Sequence, residues 1–267
     1  MDKIGFIGVG NMGGTLARIA VDACGGQNVY VSSRTVEKAR QFAEETGCTA
    51  LRTGSLAERT VMIFLGVKPQ MMEELFAQIA PILAQRADRF VLVTMAAGLT
   101  CERIAQMAGG DYPVIRIMPN TPALVGQGVI PYCGNDKVTQ NDFDALEQVL
   151  AGAGLVTPLS ESMIDAASAV SGCGPAFVYI FIEALTDAAV SCGLPRSTAL
   201  EFAAQTVLGA GKMVLETGQH PGALKDAVCS PAGSTIAGVK ALESGGFRAV
   251  AQNAVIASFQ RAKELGK

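Results

Sequence analysis

An α/β chain, with a doubly wound parallel sheet followed by an all-α part, is predicted by three observations. A glycine-rich turn, Gly8-Val9-Gly10-Asn11-Met12-Gly13, follows the apolar run Lys3-Ile4-Gly5-Phe6-Ile7 and precedes a helical pattern beginning near Met12. Strand-like runs at Val29–Val31, Val61–Leu65, Phe90–Val93, Val114–Ile117 and Gly128–Tyr132 alternate with helical stretches. After Leu155-Val156-Thr157-Pro158 the strand signal stops, and the stretches from Glu161 to Cys192, Pro195 to Glu216, Pro221 to Val228 and Thr235 to Lys267 read as helices broken by glycine or proline. The boundary falls near Ser160, giving a first domain over 1–159 and a helical second domain over 160–267.

The first apolar run is unbroken, as in a strand buried on both faces. The glycines that follow have the GxGxxG spacing, inside a strand, helix, strand unit of about 30 residues, which is the context of a Rossmann-like dinucleotide site. Gly8 suits the tight turn, Gly10 lets the backbone approach a pyrophosphate, and Gly13 lets helix and strand pack closely. The free N–H groups around Asn11 and Met12 then aim at phosphate. The second strand ends in Ser32-Ser33-Arg34, where an NAD-specific site would carry Asp or Glu on the ribose 2′-hydroxyl. A carboxylate would repel a 2′-phosphate, whereas Arg34 can pair with it and Ser33 can donate to it, so NADPH is expected over NADH. Arg34 could instead cap a surface turn, and Glu37 lies close by.

Three further segments follow strand ends, the edge at which open α/β sheets bind ligands. They are Gly66-Val67-Lys68-Pro69, Met95-Ala96-Ala97-Gly98 and Met118-Pro119-Asn120-Thr121-Pro122. Lys68 is a candidate for supporting the cofactor and Asn120 for holding a ring amide or substrate; each loop could equally do no more than turn the chain.

In the helical part, Ser230-Pro231-Ala232-Gly233-Ser234-Thr235 opens a helix. Successive N–H groups there can form a nest for a carboxylate, and the Thr235 hydroxyl can donate or accept beside it, or serve as an ordinary N-cap. His220, before Pro221, reads as a local cap rather than an acid. Lys and His are absent between Val138 and Gly211. A ketone or alcohol substrate needs a proton donor for its alkoxide, whereas an imine nitrogen can be protonated before hydride arrives. An imine is therefore the electrophile this composition suits.

Composition narrows the rest. The chain has 267 residues, 49% hydrophobic and 17% charged, with a formal net charge of -3. Long-range attraction to nucleic acid or an anionic membrane is not expected. So apolar a chain suggests association with another copy. The longest uncharged stretch, Ala166 to Ile182, falls short of a membrane span and reads as a buried core helix. The nucleotide loop begins within the first few residues, so no signal peptide is expected. Seven cysteines without a CxxC pair suit reduced thiols in the cytoplasm, and no metal site is expected.

The residues then converge on one family. The Gly8–Gly13 loop, Val67-Lys68-Pro69, Ala96-Ala97-Gly98, Arg116-Ile117-Met118-Pro119-Asn120-Thr121-Pro122, Ser171-Gly172-Cys173-Gly174-Pro175-Ala176, His220-Pro221-Gly222-Ala223-Leu224-Lys225-Asp226, the Ser230–Thr235 turn and Leu242-Glu243-Ser244-Gly245-Gly246-Phe247-Arg248 resemble pyrroline-5-carboxylate reductase. The resemblance covers virtually the whole chain. It implies reduction of L-1-pyrroline-5-carboxylate to L-proline with NAD(P)H, and a homodimer as the minimal unit, assembled in some members into larger rings. It also implies a C-terminal domain that combines dimerisation with substrate binding. By the resemblance, the substrate carboxylate lies on the backbone of Gly233, Ser234 and Thr235, and the ring nitrogen near the Thr235 hydroxyl. The chain departs from the family at Cys173, often Ser, at Ala232, usually Gly, and at Ser234, commonly Thr or Ala. Two rival readings are a 3-hydroxyacid dehydrogenase, disfavoured by the missing Lys in the interdomain helix, and a non-enzymatic NADP-binding sensor.

Overall fold

The structure, a computed structural model, describes residues 3–265. The first part runs β1 (Ile4–Ile7), α1 (Asn11–Cys24), β2 (Val29–Ser32), α2 (Val36–Thr46), β3 (Thr49–Ala50), α3 (Thr53–Arg59), β4 (Met62–Leu65) and α4 (Met72–Leu83). It continues through β5 (Val91–Thr94), α5 (Cys101–Ala108), β6 (Val114–Ile117), β7 (Gly128–Gly134), α6 (Gln140–Val149) and β8 (Gly154–Pro158). Six helices follow: α7 (Glu161–Ser171), α8 (Gly174–Ser191), α9 (Arg196–Thr217), α10 (Pro221–Ala227), α11 (Ser234–Ser244) and α12 (Phe247–Leu265).

The strands form one sheet in the order β3-β2-β1-β4-β5-β6-β7-β8. All pairs are parallel except β6 with β7, where Arg116 lies opposite Cys133. β1 sits between β2 and β4, with Ile4 aligned to both Val29 and Met62. The chain reverses its winding there, so the loops after β1 and β4 flank the crevice in which such sheets bind ligands.

β1, β4, β5 and β6 are buried at every position, which is why they read as unbroken apolar runs. On one face Phe6 stacks on Phe64 with ring centroids 4.3 Å apart, and Leu16, Ala17 and Ala20 of α1 cover the pair's side of the sheet. The aromatic contact adds about 0.5–1.5 kcal/mol beyond its buried area. On the other face Ile63, Leu65 and Leu92 meet Leu56, Met72, Ile79 and Ile104 from α3, α4 and α5. Pro81 lies inside α4, close enough to its C-terminal end that the helix stops at Leu83.

The chain divides into two compact units, one comprising residues up to Gly172 with the end of α12 from Phe259, the other Cys173–Ser258. The compact units therefore part after α7, not at Ser160. α7 is held to the sheet through the buried Arg116, whose Nη2 lies 2.7 Å from an Asp165 carboxylate oxygen. A buried guanidinium needs such a partner, and Asp165 comes from α7.

One expectation fails outright. The apolar stretch around Ala166–Ile182 is not a buried core helix: it is interrupted at Gly172-Cys173, and the apolar window of Glu161–Ser191 is only 11% buried. That stretch is long and apolar enough to cross a membrane by length and composition alone. Two residues of β3 also escape an alternation signal, being too few to show a period.

Candidate functional site

In the first unit the glycine turn is held by main chain. The Gly8 N–H donates to the Ser32 carbonyl at 2.8 Å, joining the β1 turn to the end of β2. Gly8 has φ +103°, and a Cβ there would stand 2.6 Å from the Gly66 oxygen; one on Gly13 would stand 2.1 Å from the Gly8 oxygen. Both positions therefore require glycine, for the turn and for the close approach of α1. Gly10 is the N-cap of α1 and no side chain caps the helix, which leaves the N–H groups of Asn11, Met12 and Gly13 at its mouth. With no acidic residue in that first turn, the helix end favours a bound anion.

Just past β2, Ser33 is half-buried and Arg34 exposed. Among the described residues Arg34 forms no ion pair, with Glu37 or any other carboxylate. A cavity of about 100 Å³ has Arg34 and Thr53 on its walls together with Ile7, Val67 and Gln78. The fold thus brings Arg34 and Val67, far apart in sequence, to one pocket beside the glycine turn. Lys68 is exposed and Pro69 half-buried, opening a short turn ahead of α4.

After β5, Ala96 is buried and its N–H reaches the Thr94 hydroxyl at 3.3 Å, while Ala97 is exposed and Gly98 takes φ +77°. Asn120 follows the end of β6. It is 6% exposed. Its Nδ2 donates to the Ser171 carbonyl at 2.8 Å and its Oδ1 accepts from the Val129 N–H at 2.8 Å. The amide thus ties the β6–β7 connection to the last residue of α7 through Nδ2 and to β7 through Oδ1. Its partners lie 9 and 51 residues away in sequence, which no local pattern reveals.

In the second unit the Ser230–Thr235 segment forms a tight turn closed by the Gly233 N–H on the Ser230 carbonyl at 3.0 Å. Gly233 is the N-cap of α11, with no side-chain cap and no acidic residue in the first turn. Ser234 and Thr235 are the first helical positions, so Thr235 is not the N-cap. Both side chains are exposed, and the Thr235 hydroxyl makes no hydrogen bond among the described residues. The turn's free N–H groups and this hydroxyl therefore face outward together. Ala232 has φ +57°, the only non-glycine residue with positive φ among those described. His220 is a cap: its Nδ1 accepts from the Gly222 N–H at 3.0 Å at the start of α10.

Both parts of the chain match known proteins. Residues 161–265 match a family model described as pyrroline-5-carboxylate reductase dimerisation, and residues 3–98 one described as NADP oxidoreductase, coenzyme F420-dependent. A pyrroline-5-carboxylate reductase of Escherichia coli strain K12 is 40% identical over 268 residues, covering 99% of this chain and 98% of its own. One from Glycine max is 40% identical over 269 residues, covering 98% of this chain and 95% of its own. Among solved structures, a pyrroline-5-carboxylate reductase from Coxiella burnetii superposes with a TM-score of 0.92 at 33% identity, covering 100% of this chain and 99% of its own. A Plasmodium falciparum pyrroline carboxylate reductase with NADP bound gives 0.87 at 32% identity, covering 100% and 98%. By its dimerisation segment and its end-to-end likeness to these enzymes, the chain belongs to the pyrroline-5-carboxylate reductase family.

Proposed function

We infer that the protein reduces the C=N bond of L-1-pyrroline-5-carboxylate with NADPH to give L-proline, the last step of proline biosynthesis. The observation that carries this reading is the end-to-end relation to pyrroline-5-carboxylate reductases, in a chain that keeps both an uncapped glycine-turn helix and an uncapped turn beside a free hydroxyl. NADPH, when bound, supplies the hydride. The N–H groups of Asn11, Met12 and Gly13 bind its diphosphate, and Arg34 and Ser33 bind the 2′-phosphate. Val67, Lys68 and Pro69 border the adenosine side, and the Ala96-Ala97-Gly98 loop borders the reacting end.

The turn of Gly233, Ser234 and Thr235 holds the substrate carboxylate on the free N–H groups of Ser234 and Thr235, a charge-assisted contact that fixes the ring, while the Gly233 N–H closes the turn on Ser230. The Thr235 hydroxyl sits at the ring nitrogen, which carries its proton before hydride reaches the adjacent carbon. The product is a secondary amine, with no alkoxide to stabilise, in keeping with the stretch from Val138 to Gly211 that lacks Lys and His. The helical segment supports a homodimer as the minimal unit; we propose that dimers build a larger ring, and that the enzyme works in the cytoplasm without nucleic acid or membrane partners.

The test follows NADPH absorbance after adding pyrroline-5-carboxylate, with piperideine carboxylate and 3-hydroxyacids as comparators. Rapid oxidation with the five-membered imino acid supports the assignment. Activity with hydroxyacids alone, or NADPH binding without turnover of any imino acid, overturns it.

A further inference from the structure

Cys101 opens α5, Cys133 lies in β7 and Glu161 opens α7, and no spacing between them forms a metal motif in the sequence. The fold nonetheless gathers them, with Cys101 Sγ, Cys133 Sγ and a Glu161 carboxylate oxygen all within 4.8 Å of one another. Cys101 is 2% and Cys133 7% exposed. The two sulfurs thus lie side by side in a buried setting, beside a carboxylate. Two thiolates on a tetrahedral zinc, at Zn–S of about 2.3 Å, stand about 3.8 Å apart, so this pair needs little rearrangement to share a cation.

Glu161 completes the set. Its Oε1 already accepts from the Cys101 N–H at 2.8 Å, which fixes the carboxylate beside the sulfurs. The side chain is 36% exposed, so the cluster opens to solvent on this side. Arg116 lies beside it, with Nη1 3.8 Å from Glu161 and its strong partner, Asp165, at 2.7 Å. Arg116, Glu161 and Asp165 sum to one negative charge while both thiols are neutral. Exchanging two thiol protons for one divalent cation leaves that sum unchanged, so loading the site buries no extra charge against Arg116.

We propose that Cys101, Cys133 and Glu161 form a binding site for a thiophilic divalent cation of the zinc class, with water as fourth ligand. Binding releases two protons, one from each thiol, and leaves both sulfurs as thiolate ligands. The cation clasps the starts of α5 and α7 to β7, immediately after the loop that carries Ala96, Ala97 and Gly98. Two thiolates with a single carboxylate favour zinc over magnesium or calcium, which prefer oxygen alone.

The test is an anaerobic titration of the reduced, metal-stripped full-length enzyme with Co²⁺, reading the thiolate-to-cobalt charge-transfer absorption, paired with thermal melts in Zn²⁺. One equivalent of Co²⁺ produces the band, Zn²⁺ displaces it, and Zn²⁺ raises Tm. Cys101→Ser abolishes both signals, Glu161→Gln weakens Co²⁺ binding at least about tenfold, and Cys192→Ser, at an exposed cysteine, changes neither. Should Cys101→Ser fail to fold, the Glu161→Gln variant, which keeps an acceptor for the Cys101 N–H, decides alone. The proposal falls if the folded reduced enzyme gives no band, if the band survives Cys101→Ser or is as strong in Glu161→Gln, or if the pair only forms a Cys101–Cys133 disulfide on oxidation.

Discussion

Thr235 presents a hydroxyl with no partner in the described chain at the start of α11, beside N–H groups that nothing caps. Its removal should act on chemistry and leave the dinucleotide site alone: Thr235→Ala is expected to lower kcat for imine reduction about 100-fold, with the NADPH dissociation constant unchanged by fluorescence titration. Equal rates would remove the hydroxyl from the mechanism. Among the described residues Arg34 forms no ion pair, and it lines a pocket with Thr53 and Val67; charge-assisted hydrogen bonds of its kind contribute about 1.5–3 kcal/mol. Arg34→Ala should therefore shift the NADPH to NADH ratio of kcat/KM about 10- to 100-fold toward NADH in steady-state assays. Ala232 holds a left-handed backbone at φ +57°. A methyl group there costs about 1–2 kcal/mol, partly offset by the lower entropy of the unfolded chain, so Ala232→Gly should raise stability by about 0.5–1 kcal/mol in urea melts. Gly8 and Gly13 were legible because their steric task lies within a few residues of each other. Asn120 was not, since its bonds run to Val129 and Ser171 and only the folded sheet defines them.

Among the elements, α6 shows how a local signal and a distant charge combine. Thr139 and Asp142 form a capping box, and Arg89 reaches the same Asp142 carboxylate across the fold at 2.5 Å. Burial raises the Asp142 carboxyl, but the bonds from Arg89 and Thr139 outweigh it and hold the pKa below the usual value. A depressed acid adds stability above its unfolded pKa of about 3.9 and loses it as pH falls through the lower folded value. Asp142→Asn should thus lose about 1 kcal/mol at pH 7, with the gap to the parent closing in melts below about pH 4. The buried strands were readable for the opposite reason: burial on both faces makes each an uninterrupted apolar run. The antiparallel return of β7 was not, because strand direction leaves no mark on composition. α8 misled because its apolar surface resembles that of a core helix, whereas Thr186 alone among its described residues is buried in the isolated chain.

For the whole molecule, the two units contrast in what they bury. The first has both faces of its sheet covered. Within Cys173–Ser258 only Thr186, Ala199 and Ala203 are buried among the described residues, while Tyr179, Ile180, Phe202 and Leu215 are all exposed. Apolar surface at about 25 cal/mol per Å² left in water is a strong drive toward a second copy, as the dimerisation segment implies. Dilution should therefore lower specific activity and Tm together with the sedimentation coefficient. Activity that persists in a monomeric fraction would separate catalysis from association. The family resemblance in the sequence pointed to this pairing, and the sparse burial supplies its physical reason.

That sparse burial also shapes the life of each newly made polypeptide. Until it meets a sibling, its carboxy-terminal helices resemble an unfinished product, sticky enough to engage chaperones and open enough for proteases to cut. Cellular abundance should then rise more steeply than synthesis rate, because scarce copies are destroyed before they find one another.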